Sequence, residues 1–255
     1  MLQANDQHIR YTIEDKVFII AIDRPEKKNA LLPSMYKALA EGIRLADENQ
    51  AVNVILIKGT DDCFTSGNDV SGFVTANADS GERPSVQFMH ALTNAKKPLI
   101  AAVSGLAIGI GTTLLFHCDL VYASATCFLQ LPFTRLGLCP EAGSSFLLPR
   151  QIGYQRAAEL LLLGNRFSAQ RAYELGIVNE VLPQELYLSH AKQRAKELAA
   201  LPADSVQTTK HLMKANITRQ LPSTIEQELK QFSRLLQTEE AQAIVQSFFD
   251  NKKSK

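Results

Sequence analysis

A single carboxylate stands in a stretch of apolar and small residues at positions 131–145, which reads LPFTRLGLCPEAGSS. Glu141 lies there between Pro140 and Ala142. Burial disfavours the charged form of a carboxyl group, so a buried Glu141 would hold its proton more tightly than it does in water. Such a group can serve as a general base near neutral pH. The alternative is a glutamate in a surface loop between two helices, which is the commoner setting for this residue type.

Two glycine-containing segments could assist such a base. Residues 63–70 read CFTSGNDV, and Ser-Gly-Asn-Asp is turn chemistry that suits a backbone with exposed N–H groups. In residues 103–119, VSGLAIGIGTTLLFHCD, a predicted strand ends and Gly109-Ile110-Gly111 leads into an apolar helix. The first N–H groups of a helix have no partner within it. One N–H group from each segment could therefore hold a developing oxyanion.

The glycines of residues 103–119 allow two other interpretations. They could let a helix pack closely on a sheet and have no further role. GIGTTL also begins like the dinucleotide-binding pattern GxGxxG, but Leu114 stands in place of the third glycine. A partial match in the middle of the chain is weak support for a nucleotide cofactor.

Composition predicts a globular protein and disfavours several classes of partner. Of 255 residues, 45% are apolar and 21% are charged, which is typical of a packed domain. The net charge is +1 and no basic run is present, so nothing favours a nucleic-acid partner. The apolar runs are too short to span a bilayer, and the polar N-terminus lacks the apolar segment of a secretory signal. The final DNKKSK does not match the Ser-Lys-Leu peroxisomal signal, so we expect a cytoplasmic protein without a membrane partner.

The four cysteines predict no metal centre. They form no CxxC pair and no zinc-ligand spacing with the five histidines. Reduced, structural thiols are the expected state. His117, beside Cys118 and Asp119, is predicted to end a helix, where the dipole favours a histidine.

Strands alternate with helices in the first part of the chain, which predicts βαβ units and a largely parallel sheet. After about residue 144 the strand signal fades, and Ser144 and Ser145 are expected to cap the following helix. The chain thus divides into an α/β region, residues 1–200, and a helical region, residues 201–255, which should pack on the first region or on another subunit. Strands are predicted at 17–22, 52–58, 99–103 and 119–123, and helices from residue 33, at 86–94, 111–117, 185–200, 205–216, 223–238 and 239–249.

Five ordered segments together resemble the crotonase superfamily, also called the enoyl-CoA hydratase/isomerase superfamily. The resemblance is strongest to its peroxisomal-type Δ3,Δ2-enoyl-CoA isomerase branch. It implies an α/β spiral of ββα units followed by a helical C-terminal oligomerisation region, and assembly into trimers or hexamers. The segments are DRPEKKNAL (23–31), FTSGNDV (64–70), KKPLIAAVSGLAIGIG (96–111), CDLVYAS (118–124) and LPFTRLGLCPEAGSS (131–145).

The resemblance implies an acyl-CoA thioester as substrate and assigns the site residues. The backbone N–H groups of Asn68 and Ile110 would stabilise the thioester enolate. Arg24 and Lys27 are weaker candidates for contacts with the phosphates of CoA. The segment at 28–31 would lie near the adenine end of CoA, and the segment at 66–70 would line the acyl-thioester site. The implied binding residues are Lys28, Asn29, Ala30, Leu31, Ser66, Gly67, Asn68, Asp69, Val70, Gly109 and Phe133.

The chain departs from the hydratases at both of their catalytic glutamates, whose positions correspond to Thr113 and Phe133. Neither side chain can act as an acid or base, so hydration of a double bond is not expected. Glu141 instead matches the single catalytic glutamate of the isomerases. The resemblance therefore implies a shift of the double bond from 3-enoyl-CoA to 2-trans-enoyl-CoA. One carboxyl group would move the proton, and no metal or cofactor beyond the CoA of the substrate would be needed.

Other activities stay open on the sequence alone. The superfamily also contains hydratases, thioester hydrolases, dehalogenases and decarboxylases, and the chain could be a catalytically idle acyl-CoA-binding protein. The metabolic setting could be fatty-acid β-oxidation or another degradation route. Phe248 and Phe249, adjacent near the C-terminus, are expected either to return to the domain or to enter a subunit contact.

Overall fold

The computed structural model describes residues 3–69 and 83–253. The strands in these residues are β1 (Ile9–Glu14), β2 (Val17–Ile22), β3 (Val54–Lys58), β4 (Leu99–Val103), β5 (Leu106–Ile108), β6 (Leu120–Ser124), β7 (Phe128–Gln130), β8 (Arg166–Ser168) and β9 (Glu180–Leu182). The helices are α1 (Pro33–Glu48), α2 (Pro84–Asn94), α3 (Ile110–Thr113), α4 (Ser144–Ile152), α5 (Tyr154–Leu163), α6 (Ala169–Glu174), α7 (Tyr187–Ala199), α8 (Ala203–Leu236) and α9 (Glu239–Lys253). No helix in the described part of the chain is both long enough and apolar enough to cross a membrane.

A six-stranded sheet with the order β1-β2-β3-β4-β6-β9 forms the centre of the molecule. β1 and β2 pair antiparallel, and every other neighbouring pair in this sheet is parallel. Side chains alternate between the two faces, so Phe18 and Ile20 of β2 join the large core with α1, whereas Val17 and Ile19 join a smaller core with α7. Because helices cover both faces, the central strands are apolar along their whole length.

β5, β7 and β8 form a second, smaller sheet, and α3 follows directly after β5. β5 pairs parallel to β7, and β7 pairs antiparallel to β8. These strands have three residues each, too few to show an alternating pattern, and the sequence analysis did not predict them. The predicted helix at 111–117 is α3 continued by a 3-10 turn over Leu114–His117.

The C-terminal region begins with one 34-residue helix, α8, where the sequence predicted two helices at 205–216 and 223–238. That prediction was wrong: α8 runs without a break through residues 217–222, although Pro222 removes one helical hydrogen bond. Leu221, Ile225 and Phe232 bury their side chains in the large core, and this packing holds the helix continuous past the proline. The side chains of Phe248 and Phe249 lie outside the described residues.

Candidate functional site

Glu141 lies in the short connection before α4 and is buried, with 5% of its surface exposed. The two following residues adopt left-handed conformations, with φ of +56° at Ala142 and +74° at Gly143. A Cβ at Gly143 would come within 2.2 Å of Leu221, so only glycine fits between the two segments. The Glu141 Oε1 atom is buried without a hydrogen-bond partner among the described residues. A buried oxygen without a hydrogen-bond partner is rare in a protein core. It is more typical of a site that binds a substrate.

A buried histidine fixes the bend after Glu141. His117 Nε2 lies 2.8 Å from the carbonyl oxygen of Ala142, and burial lowers the pKa of His117 to about 4. The imidazole is therefore neutral at working pH, and its single N–H group is on Nε2 because a carbonyl can only accept. His117 ends the 3-10 turn, as the sequence predicted. No group of three or more His, Cys, Asp or Glu residues within the described ranges could hold a metal ion.

A carboxylate from α8 caps the helix that follows Glu141. Glu228 accepts hydrogen bonds from the backbone N–H groups of Gly143 (2.6 Å) and Ser145 (2.9 Å) and from the Ser145 hydroxyl. The prediction that Ser144 and Ser145 cap this helix was wrong, because Gly143 is the capping residue and its missing side chain is replaced by Glu228. Glu228 is more than 80 residues away in sequence, so no local pattern could have indicated it.

The surroundings of Glu141 favour its protonated form. Burial and, secondarily, the charge of Glu228 raise the pKa of Glu141 to about 8. Burial also raises the pKa of Glu228, while the hydrogen bonds from Ser145 and Gly143 favour its charged form. Glu141 can therefore exist as a base or as an acid near neutral pH, whereas Glu228 is engaged in capping.

The backbone of Asn68 presents a free N–H group. The peptide between Gly67 and Asn68 is trans, and its carbonyl accepts from the N–H of Leu31 at 2.8 Å. Because C=O and N–H point in opposite directions across a trans peptide, the Asn68 N–H points away from Leu31. Within the described part of the chain this N–H meets no acceptor. It is available to a ligand.

Ile110 presents a second free N–H group for the same reason. The carbonyl of Gly109 accepts from the N–H groups of Thr112 and Thr113, each at 2.9 Å, so it points along α3. The Ile110 N–H, on the other side of that peptide, points out of the N-terminus of the helix and finds no acceptor among the residues described.

The two free N–H groups belong to segments that run side by side. Thr65 forms a parallel bridge to Ala107, with hydrogen bonds of 2.9 Å to Leu106 and 3.0 Å from Ile108. A Cβ at Gly67, where φ is +91°, would come within 2.8 Å of the Ile108 carbonyl oxygen. The glycine between Ser66 and Asn68 thus permits the close approach of the two segments.

Tyr36 connects Glu141 with this backbone pair. Its hydroxyl donates a hydrogen bond to Asn68 Oδ1. Burial and, secondarily, the charge of Glu141 raise the pKa of Tyr36 well above its usual value, so Tyr36 is bonded to Asn68 and also feels the charge of Glu141. Tyr36 was not identified from the sequence, because a tyrosine in the first turn of an amphipathic helix is indistinguishable from a core residue.

Arg24 joins the two loops that were predicted to contact CoA. Its guanidinium donates to Asp69 Oδ2 at 2.7 Å and to the carbonyl of Ala30 at 2.9 Å, and the residue is only 9% exposed. Asn29, which is fully buried, accepts from the Arg24 N–H and donates to the carbonyl of Cys63. Arg24 therefore holds residues 28–31 against residues 66–69, an arrangement different from the free phosphate contact suggested for it.

The other residues implied by the resemblance take varied positions. Lys28 is exposed, Ala30, Ser66 and Gly109 are half-buried, and Leu31, Thr113 and Phe133 are buried. Thr113 donates weakly to the carbonyl of Ile110, at 3.5 Å. Val70 lies outside the described residues.

Comparison with known proteins identifies the class. A sequence model of the family described as enoyl-CoA hydratase/isomerase matches residues 12–255, and the chain belongs to this family. A solved enoyl-CoA hydratase/isomerase from Pseudoalteromonas atlantica T6c superposes with a TM-score of 0.93 at 32% identity, covering 96% of this chain and 98% of that one. The crotonase fold and the superfamily predicted from the motifs are thus confirmed.

Relatives with assigned names include both isomerases and hydratases. Enoyl-CoA delta isomerase 2 of Rattus norvegicus is 33% identical over 96% of this chain, which spans 64% of that longer protein. The mitochondrial enoyl-CoA hydratase of Pongo abelii is 32% identical over 77% of this chain and 70% of its own length. These similarities support a crotonase-type acyl-CoA reaction. They do not distinguish isomerisation from hydration.

Proposed function

We propose that this protein is a Δ3,Δ2-enoyl-CoA isomerase. The observation that carries the proposal is the buried Glu141, whose Oε1 has no partner in the described residues, while the hydratase acid positions hold Thr113 and Phe133. A double-bond shift needs one group that takes up and returns a proton, whereas hydration needs water activation as well. The similarity to the rat delta isomerase supports the same choice.

The proposed reaction uses these groups in turn. The thioester carbonyl of a 3-enoyl-CoA accepts hydrogen bonds from the N–H groups of Asn68 and Ile110. The Glu141 carboxylate removes a proton from C2, and the electron pair spreads over the dienolate onto the thioester oxygen, where the two N–H groups stabilise it. The Glu141 carboxylic acid then gives the proton to C4, leaving the double bond between C2 and C3.

The raised pKa of Glu141 serves both halves of this cycle. A carboxyl group with a pKa of about 8 is a far stronger base than an ordinary glutamate, and its conjugate acid still donates readily to the dienolate. The oxidation state of the substrate does not change, so the chemistry calls for no redox cofactor. Lys28 and the rest of residues 28–31, held in place by Arg24, are the proposed contact with the CoA moiety.

A single assay distinguishes isomerisation from hydration. The purified chain is given 3-hexenoyl-CoA or 2-hexenoyl-CoA while the ultraviolet absorption of the conjugated enoyl thioester is followed. Isomerisation makes this absorption appear from the first substrate, and hydration removes it from the second. Glu141→Gln should lower isomerisation at least about a hundredfold, whereas Glu159→Gln, on the exposed face of α5, should not change it. Dominant hydration, or full activity of Glu141→Gln, would refute the proposal.

Isotope transfer tests the single-carboxyl mechanism directly. A 3-enoyl-CoA carrying deuterium at both C2 positions is converted in ordinary water, and the product is analysed by mass spectrometry. Because one carboxyl group takes the proton from C2 and returns it to C4, part of the deuterium should appear at C4. A product that takes all of its C4 hydrogen from solvent at every extent of conversion would argue for two separate groups.

Self-association, location and pathway are also part of the proposal. We propose a trimer or hexamer in the cytoplasm that acts in fatty-acid β-oxidation or a related degradation. Light scattering of the purified chain tests the assembly, and a monomer at micromolar concentration contradicts it.

A further inference from the structure

Tyr36 is a buried tyrosine whose hydroxyl faces the site rather than solvent. It lies in the first turn of α1, is 4% exposed, and its ring packs at 54° to that of Phe88 with the centroids 5.8 Å apart. Buried tyrosine hydroxyls usually bond to a backbone carbonyl or to water. This one donates to the side chain of Asn68, and the charge of Glu141 adds to burial in raising its pKa.

Asn68 is held by its backbone on one side and by Tyr36 on the other. Leu31 bridges to Asn68, accepting from the N–H of Asp69 at 3.0 Å and donating to the carbonyl of Gly67 at 2.8 Å. These bonds anchor the backbone before and after Asn68, and its side chain is anchored by Tyr36. In the described part of the chain, the bond from Tyr36 is the one hydrogen bond of the Asn68 side chain. Without it, the Asn68 amide could rotate toward the space that its own N–H faces.

We propose that Tyr36 is a positioning residue for the oxyanion site, holding Asn68 so that its backbone N–H keeps the direction needed by the thioester oxygen. This inference rests on the proposed function in that it takes Asn68 and Ile110 as the donors to the carbonyl. It adds a residue on α1 that acts through Asn68 and does not itself touch the reacting atoms. A displacement of a donor by a fraction of an ångström is enough to weaken stabilisation of developing charge.

The phenol is suited to this role throughout the working pH range. Burial and the negative field of Glu141 both disfavour the phenolate, so the pKa of Tyr36 stays well above its usual value. The hydroxyl therefore keeps its proton and always donates to Asn68. Phenylalanine at this position would preserve the contact with Phe88 and remove only the hydrogen bond.

The kinetic test compares two tyrosines that both donate to groups near α1. Tyr36→Phe should lower kcat about tenfold and change KM for 3-hexenoyl-CoA less than about twofold, because substrate still binds but its carbonyl is less polarised. The matched control is Tyr11→Phe, which removes a buried hydroxyl bonded to the Ala38 carbonyl of the same helix, away from Asn68. Equal loss of kcat in both variants would show a general effect on α1 and overturn the proposal.

A double-mutant cycle tests whether Tyr36 acts through Asn68. Asn68→Ala keeps the backbone N–H and removes the side chain that Tyr36 holds. If the proposal is correct, Tyr36→Phe has no further effect on kcat in the Asn68→Ala background. A full additional tenfold loss there would mean that the hydroxyl acts by another route, and the proposal would be wrong.

A spectroscopic test is independent of isomerisation. Cinnamoyl-CoA has no hydrogen on C4 and cannot undergo the double-bond shift, but its absorption moves to longer wavelength when the carbonyl is polarised. We expect this red shift in the wild-type protein and in Tyr11→Phe, and a smaller one in Tyr36→Phe. If the protein shows these shifts but does not catalyse isomerisation, the proposed role of Tyr36 stands and the proposed function is wrong. A wild-type protein that gives no red shift, or an undiminished shift in Tyr36→Phe, overturns the role of Tyr36.

Discussion

Replacing Glu141 by glutamine should stabilise the fold while it abolishes turnover, and the gain should grow with pH. In the folded protein the pKa of Glu141 is about 8, against an ordinary value of 4.5 that the unfolded chain retains. Above pH 4.5 the unfolded chain releases this proton and the folded protein does not, so unfolding becomes easier as the pH rises toward 8. Glutamine is neutral in both states and removes this dependence.

The magnitude follows from the separation of the two pKa values. Each pKa unit corresponds to 1.36 kcal/mol, so a complete titration of the difference is worth about 5 kcal/mol. At pH 8 the folded group is half ionised, and the penalty is about 4 kcal/mol, whereas at pH 5 it is only about 1 kcal/mol. Because Glu141 is 5% exposed, solvent screening reduces these values little. The stability difference between Glu141→Gln and wild type should therefore increase by about 3 kcal/mol from pH 5 to pH 8.

Urea unfolding at fixed protein concentration measures this difference. Wild type, Glu141→Gln and the surface control Glu159→Gln are unfolded at pH 5, 6.5 and 8, and the free energies are extrapolated to water. Only Glu141→Gln should separate from wild type as the pH rises. Other titrating groups are common to all three proteins and cancel in the comparison. The same group should make kcat/KM of the wild-type enzyme rise through a pH of about 8, where Glu141 becomes a base.

A pH-independent difference between Glu141→Gln and wild type would refute the reasoning. It would mean that Glu141 has the same pKa in the folded and unfolded states, and that it is not the desolvated acid on which the mechanism depends. A difference that shrinks with pH would reverse the sign and would indicate a carboxylate stabilised by the fold.

Three further substitutions test the contacts around the site. Glu228→Gln removes a charge that raises the pKa of Glu141, so kcat/KM should rise at a lower pH than in wild type. An unchanged pH profile of kcat/KM would contradict this prediction. His117→Gln weakens the hydrogen bond to the Ala142 carbonyl. It should lower kcat about tenfold and leave KM nearly the same. If kcat does not fall, the bend after Glu141 does not depend on the histidine. Arg24→Met removes the hydrogen bonds that join residues 28–31 to Asp69. It should lower the free energy of unfolding by about 1–3 kcal/mol and also raise KM. If Arg24 only contacted a phosphate of CoA, the substitution would raise KM and leave stability unchanged.

The sequence predicted the elements that are long and buried on both faces. The runs that form β2, β3, β4 and β6 have four to six consecutive apolar residues, and the helices after them begin at prolines or after polar turns. Ser168, a residue type favoured at helix N-termini, caps α6: its side chain accepts from the N–H of Arg171. In these cases the local pattern and the tertiary packing favour the same structure.

Apart from β1, which pairs with the adjacent β2, the elements that were missed depend on packing between distant segments. β5, β7, β8 and β9 have three residues each and exist because neighbouring strands complete their hydrogen bonds. The continuity of α8 through Pro222 comes from burial of an apolar stripe rather than from helix propensity. For the same reason the positions of Tyr36 and Glu228 at the site could not be read from their own neighbours in sequence.

The long helix α8 contacts the bend that carries Glu141. Leu221 comes so close to Gly143 that no Cβ would fit, and Glu228, two turns later, bonds to the backbone on both sides of Ser144. The bend that carries Glu141 is thus held from the α/β region by His117 and from α8 by Glu228. Because a carboxyl group keeps a pKa of about 8 only while water is excluded, the protein must close this bend from both sides. The long helix is therefore required for the raised pKa of Glu141, even though this carboxyl group, which we propose as the catalytic one, lies in another element.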